Sequence, residues 1–278
     1  MNLIFENGKR KVLTLSYDDG HGDDKKLIEI LDKYGLKATF NINTGRYNEE
    51  EKDGSIMTRQ QAIDLYKNSN HEVAVHALTH PFLEKLDSSE IIYEITEDRK
   101  NIERDFGVIA RGMAYPYGSY NDTVLEVLKN CKIAYSRTTK ATNWFNMPEN
   151  WLALDPTCHH GYDRLMELAR MFIAETPRKE RVQMFYLWGH SWEFARDRAT
   201  WNKIDKWHII EEFAEYMGGR DDIWYATNIE VYDCVKAFEN LQTSYDKKIV
   251  YNPNAKDVWF CHNKKDYCIK AGETLHLD

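Results

Sequence analysis

The chain is short of several features that would each set its class. It has only six prolines and five cysteines in 278 residues, and no apolar run nears the roughly 20 residues of a membrane-spanning helix. The cysteines (Cys131, Cys158, Cys234, Cys261, Cys268) are scattered without a Cys-x-x-Cys pair, which argues against a structural zinc site or a disulfide framework. Cys261 and Cys268 could face each other across a hairpin, with free thiols the plainer expectation. Basic charge is also scarce: 37 Lys+Arg against 45 Asp+Glu leave −8, so no phosphate-pairing surface for nucleic acid is expected. The start, Met1–Gly8, lacks the basic residues and apolar stretch of a signal peptide, so a cytoplasmic protein is expected, with neither membrane nor nucleic acid among its partners. Low-complexity segments and internal repeats are absent.

What is there reads as an acidic globular protein. Hydrophobic residues reach 42% and charged residues 29%, which excludes a disordered chain. Eight Trp, 17 Tyr and 11 Phe could serve a large core or the flat stacking surfaces of a sugar-handling cleft. Short β-rich runs alternate with amphipathic stretches. Strands are expected at 11–16, 38–42, 72–76, 108–115, 133–137, 151–154, 182–188 and 223–225. Helices are expected at 23–34, after a Thr58/Gln61 capping box, from Asp87/Glu90 to Phe106, and at 122–129, 164–174, 206–217 and 230–240. Strand–helix alternation at this spacing implies parallel strands with crossover helices, an α/β fold. From about Asp246 short β-like runs replace the alternation. The expected organisation is a barrel over residues 1–245 and a small C-terminal β appendage over 246–278, packed on it.

Set on that map, the unusual polar residues fall at strand ends. Asp18 and Asp19 follow the first strand, His76 ends the third with His80 four residues on, Tyr115-Pro116-Tyr117-Gly118 ends the fourth, and His190 follows the strand at 182–188. In a parallel α/β barrel the C-terminal strand ends converge on one rim, where active sites are built. Two imidazoles and a carboxylate make a three-ligand set for Zn²⁺ or a similar divalent ion. A neighbouring carboxylate can take a proton from water and a separate histidine can protonate a leaving group, which suits hydrolysis of an acyl bond.

These motifs resemble those of the polysaccharide deacetylases, carbohydrate esterase family four. Ser16-Tyr17-Asp18-Asp19-Gly20 is similar to the family's Thr-Phe-Asp-Asp-Gly, His76–His80 to its His-x-x-x-His, Pro116-Tyr117-Gly118 to its third motif and His190 to the histidine of its fifth. Lys33–Phe40 resembles the stretch leading through its second strand. Over roughly residues 10–230 the resemblance implies a distorted (β/α) barrel of about seven parallel strands. It implies Asp19, His76 and His80 as metal ligands, Asp18 as general base, His190 as general acid and the Tyr117 N–H as an oxyanion donor. Zinc is the expected ion, with cobalt, manganese, nickel or iron as alternatives. The substrate would be a carbohydrate or small acetylated compound, contacted by Tyr115, Pro116, Trp188, Trp192, His159 and Glu193.

The chain also departs from the pattern. The arginine expected three places before Tyr117 falls on Ala114, and Arg111 lies too early to replace it. The Asp-rich fourth motif has no counterpart, and Glu193, three residues after His190, is the residue that could polarise that histidine instead. Trp188 stands where the fifth motif has Leu. These departures keep open an O-acetyl esterase, a small-amide hydrolase or a non-catalytic carbohydrate-binding relative.

Overall fold

The computed structural model describes residues 1–52 and 55–277. Eight strands form the main sheet: β1 (Lys11–Asp18), β2 (Ala38–Ile42), β3 (Glu72–Val75), β4 (Gly112–Ala114), β5 (Tyr135–Arg137), β6 (Cys158–His159), β7 (Gln183–Gly189) and β8 (Ile223–Tyr225). All their pairings are parallel, in the order β5-β4-β3-β2-β1-β7-β6, with β8 against β1. β1 is buried along its whole length. A strand covered on both faces reads as a near-continuous apolar run, and Val12, Leu13, Leu15 and Tyr17 supply it.

β1 changes partner midway. Lys11–Leu13 pair with β8, whereas Leu15–Asp18 pair with β2. The gap so opened at the barrel floor is plugged by the start of α7 (Asn228–Glu239), where Asn228 N–H donates to Thr39 Oγ1 at 3.0 Å. At the far side the sheet curls until one segment meets both edges. Leu154 bridges Arg137 of β5, and four residues later Cys158 pairs with Leu187 of β7.

The strand expected at 151–154 is therefore corrected. Trp151–Ala153 is a 3₁₀ turn held by the Asn150 side chain on Leu152 N–H, and only Leu154 reaches the sheet before Pro156, which has no N–H to give a ladder. The strand expected at 108–115 shrinks to β4, because Val108 and Ile109 are exposed outside the sheet.

The crossover helices are α1 (Asp24–Lys33), α2 (Arg59–Tyr66), α3 (Ser88–Phe106), α4 (Asp122–Asn130), α5 (Leu165–Ala174) and α6 (Trp207–Met217). Both expected capping boxes form, at Thr58/Gln61 and Asp87/Glu90, and α3 stops at Gly107 in the left-handed region (φ 71°). Among the described residues no helix is long and apolar enough to cross a membrane.

The tail forms two three-stranded antiparallel sheets. Val258–His262 lies between Asn2–Leu3 and Lys265–Ile269, and Ile249–Tyr251 between Gln242–Thr243 and Thr274–His276. Their small core, with Val250, Phe260 and Ile269, also takes Ala237 of α7. In the hairpin Cys268 lies opposite Trp259 and Cys261 opposite Asp266, so the two thiols are offset rather than paired.

Candidate active site

The rim at the strand C-termini holds every ligand residue expected from the motifs. Successive strand residues point to opposite faces, so adjacent aspartates should not share a site. Here Asp19 has φ 82°, a left-handed conformation that Asp tolerates better than most residues, and the alternation breaks. Both carboxylates consequently reach the same imidazole: His76 Nε2 lies 3.9 Å from Asp18 Oδ2 and 4.0 Å from Asp19 Oδ1. His80 Nε2 is 3.6 Å from the same Asp19 oxygen, and the two imidazoles cross at 4.8 Å between centroids.

Three details suit this set to a divalent cation. Asp19 Oδ1 is buried and has no hydrogen-bond partner. His76 Nδ1 lies 2.8 Å from the carbonyl of Ala114, an acceptor that places the ring proton on Nδ1 and leaves Nε2 free as a ligand. Burial, with the neighbouring His76 and Arg46, outweighs the two aspartates and lowers His80 to about 4, so its ring is neutral and able to coordinate at neutral pH.

Asp18 is 2% exposed, and its partners come from the neighbouring strand β2 and from across the barrel. Asn41 Nδ2 donates to Oδ1 at 2.9 Å, and the guanidinium of Arg137 donates to Oδ2. Burial alone would raise this carboxyl; Arg137, His76 and His190 outweigh it and hold Asp18 at about 2. Arg137 is itself fully buried, lies 4.4 Å above the Trp188 ring and donates to the Thr138 carbonyl. It supplies from β5 the charge that the motif carries on β4. Arg111 points elsewhere, gripping Asp233 with two bonds of 3.0 and 2.5 Å.

Sequence reasoning missed Arg137. The available signal was an arginine inside a short strand, Tyr135-Ser136-Arg137, where the barrel leaves no solvent to receive it.

His190 stands beyond the aspartates, with Nε2 3.9 Å from Asp19 Oδ2. Its Nδ1 meets Glu193 Oε2 at 3.2 Å, as expected for a stand-in for the missing fourth-motif acid. That oxygen also lies 2.9 Å from His159 Nε2 and 3.2 Å from His160 Nε2. Burial opposes the Glu193 charge, but three imidazoles keep its carboxyl far below the usual range. Although burial disfavours the His190 cation, contact with Glu193 and the aspartates raises its pKa, which keeps a proton at hand.

His159, His160 and Glu193 also have the composition of a cation site, but the tautomer of His159 argues otherwise. Gly161 N–H donates to His159 Nδ1 at 3.0 Å, so a neutral His159 carries its proton on Nε2, facing the carboxylate. The cluster is an electrostatic hub around Glu193: His190 Nδ1 makes the hydrogen bond, and the Nε2 atoms of His159 and His160 lie within 3.2 Å of the same oxygen. Gly189 makes room for it, since a Cβ there would collide with the His160 ring.

The remaining expected contact residues divide. Trp192 is half-buried with Nε1 3.3 Å from Asp19 Oδ2, and its ring lies 4.9 Å from that of Trp201, which is 48% exposed. Tyr117, at φ 58°, packs its ring 4.5 Å from His80. Three of the expected contact residues are buried. Tyr115 is buried with its hydroxyl bonded to Leu152 O at 2.6 Å, Pro116 is buried beside it, and Trp188 lies beneath the rim against Arg137. All three support the site from below.

Fold and rim together define a parallel barrel whose C-terminal edge gathers a candidate cation-binding set beside a buried aspartate and a histidine. Residues 5–136 match the family model described as polysaccharide deacetylase. The chain is 30% identical over 122 residues to chitin deacetylase 1 of Cryptococcus neoformans var. grubii, covering 44% of this chain and 24% of that protein. It is 29% identical over 117 residues to the poly-β-1,6-N-acetyl-D-glucosamine N-deacetylase of Staphylococcus aureus, covering 38% and 40%. Its fold is similar to that of a putative polysaccharide deacetylase from Mycobacterium smegmatis, with TM-score 0.58, 14% identity and coverage of 86% and 94%. The chain is thus similar to the polysaccharide deacetylases over residues 5–136, and it spans less than half the length of both curated relatives.

Proposed function

We propose that the chain is a divalent-cation-dependent hydrolase that removes N-acetyl groups from an amino sugar within an oligo- or polysaccharide. The observation that carries this reading is the orphaned Asp19 Oδ1, facing two imidazole nitrogens within 4.0 Å beside a second, ion-paired aspartate. Asp19, His76 and His80 would hold the cation, zinc by its preference for such mixed nitrogen and oxygen sets. Bound there, it would polarise the acyl carbonyl and acidify water.

The chain's own groups do the rest. Asp18, held ionised by Arg137, accepts the proton of the attacking water. The Tyr117 N–H donates to the oxyanion that develops on the acetyl carbonyl oxygen as water adds to its carbon. His190, kept cationic by Glu193, delivers a proton to the leaving nitrogen, so the amine departs neutral. The printed names of the relatives, a chitin deacetylase and a poly-N-acetylglucosamine N-deacetylase, support acetylated glucosamine polymers as the substrate class. A non-catalytic carbohydrate-binding role rests on the missing motif arginine and the absent fourth motif; the buried Arg137–Asp18 pair and the Glu193–His190 contact weigh against it.

The test is acetate release from N-acetyl- and O-acetyl-substituted glycans by stripped and zinc-reconstituted protein. N-acetyl substrates should be hydrolysed only after reconstitution. Asp19→Ala and His76→Ala should lose both cation and turnover, while Asp18→Asn keeps the cation and loses turnover. Full activity in the stripped protein would sink the reading.

A further inference from the structure

The loop from His76 to His80 joins two of the candidate ligands and is not helical. Ala77 (φ 60°) and His80 (φ 63°) both sit in the left-handed region, where the Cβ of a non-glycine residue crowds the following carbonyl oxygen. A loop so strained keeps one shape only if its surroundings over-determine it.

They do so by occupying its backbone polar groups in turn. His76 N–H donates to Asp98 Oδ2 at 3.0 Å, and Asn43 Nδ2 donates to the carbonyls of His76 and of Ala77, the latter at 2.7 Å. Leu78 N–H donates to the Glu94 carbonyl at 3.0 Å, and Leu78 O accepts from Gly45 N–H at 2.9 Å. Thr79 N–H and Oγ1 donate to the two carboxylate oxygens of Glu94, each at 2.8 Å.

Two of these holders are one helical turn apart on α3 and lie under the loop. Asp98 is fully buried and Glu94 nearly so. The other oxygen of Asp98 accepts from Thr44 N–H at 2.8 Å and Thr44 Oγ1 at 2.7 Å, which fixes the Thr44–Arg46 turn. That turn brings Arg46 Nη1 within 3.7 Å of Asp19 Oδ1, so one carboxylate ties a ligand strand to the cation that faces the third ligand.

We infer that Glu94 and Asp98 are positioning residues that preform the His76–His80 loop, so that both imidazoles are set before any cation arrives. This rests on the proposed cation role of His76 and His80 and assigns their preorganisation to two side chains outside the motifs. Partners of this kind typically govern 10- to 100-fold in metal affinity.

The experiment uses the whole chain with Glu94→Gln and, separately, Asp98→Asn. Each variant keeps its shape and one acceptor but turns an amide N–H₂ toward a backbone or hydroxyl donor. Zinc affinity by competition should fall 10- to 100-fold, and the visible spectrum of the cobalt(II)-loaded protein should change in position or intensity. A purely structural role would lower thermal stability and leave the cobalt spectrum of the folded protein unchanged.

A second readout needs no metal. In stripped protein, amide hydrogen exchange at Leu78 and Thr79 should accelerate at least 10-fold in Glu94→Gln while β1 amides stay protected. Wild-type affinity and spectrum in both folded variants, or unaltered loop exchange, would overturn the inference. If Asp98→Asn fails to fold, Glu94→Gln decides alone. If wild-type protein binds no cation, the proposed function falls, and the exchange measurement still judges whether α3 sets the loop.

Discussion

Replacing Arg137 with Met tests whether the displaced arginine does the work of the missing one. Methionine roughly fills the stem volume and can still lie on Trp188, so the main loss is the guanidinium that grips Asp18. Both partners are buried, at 0% and 2% exposure, so Asp18 is left as an uncompensated charge. Breaking a buried pair from one side costs about 3–5 kcal/mol. At about 2–4 °C per kcal/mol for a domain near this size, the melting temperature should fall by roughly 10 °C.

Activity should fall further than stability explains, because burial now favours the protonated form of Asp18, which accepts no proton. Scanning calorimetry and steady-state acetate release at a temperature where both proteins are folded make the comparison. Arg137→Lys, which keeps charge but loses the fork, should lie between the two. The double variant Arg137→Met with Ala114→Arg, which returns the guanidinium to the place the family uses, should recover part of kcat. An Arg137→Met protein that melts within about 2 °C of wild type and turns over normally would refute the argument.

Two further outcomes are expected. Glu193→Gln removes the anion that keeps His190 protonated, so kcat should fall 10- to 100-fold while zinc affinity stays within about twofold, read by competition titration. Asp24, fully buried with Tyr66 Oη donating to it at 2.5 Å, is raised by burial to about 7 from an ordinary 3.8. An acid whose folded pKa is raised loses stability as pH climbs from the unfolded to the folded value, so this group should cost up to about 4 kcal/mol between pH 4 and 7. Urea unfolding should therefore show Asp24→Asn gaining on wild type as pH rises through that window; a pH-independent difference would count against it.

The sequence revealed most where the signal is local. Thr58/Gln61 and Asp87/Glu90 announce helix starts because the reciprocal bonds lie within one turn. Asp19, His76 and His80 were readable because each follows a recognisable strand. Arg137 was not, because it meets Asp18 across the barrel interior from 119 residues away, and nothing near either residue records the pairing. The short closing segment was misread for a related reason. Trp151–Leu154 has strand-like side chains, but Asn150 and Pro156 decide its backbone. The hub at Glu193 was half visible: its bond to His190 follows from spacing, whereas His159 and His160 arrive from another strand.

Asp19, Ala77, His80 and Tyr117 all carry left-handed backbones within this one rim. Each such residue works against folding, so the catalytic edge is the place where the molecule could most readily be made more robust. Glycine at position 77 would relieve the local backbone strain and leave the imidazoles held only by the bonds from Asn43, Asp98 and Glu94. A search for thermostable variants should therefore find gains here that come with lost turnover, whereas improvements in the apolar interior should leave catalysis intact.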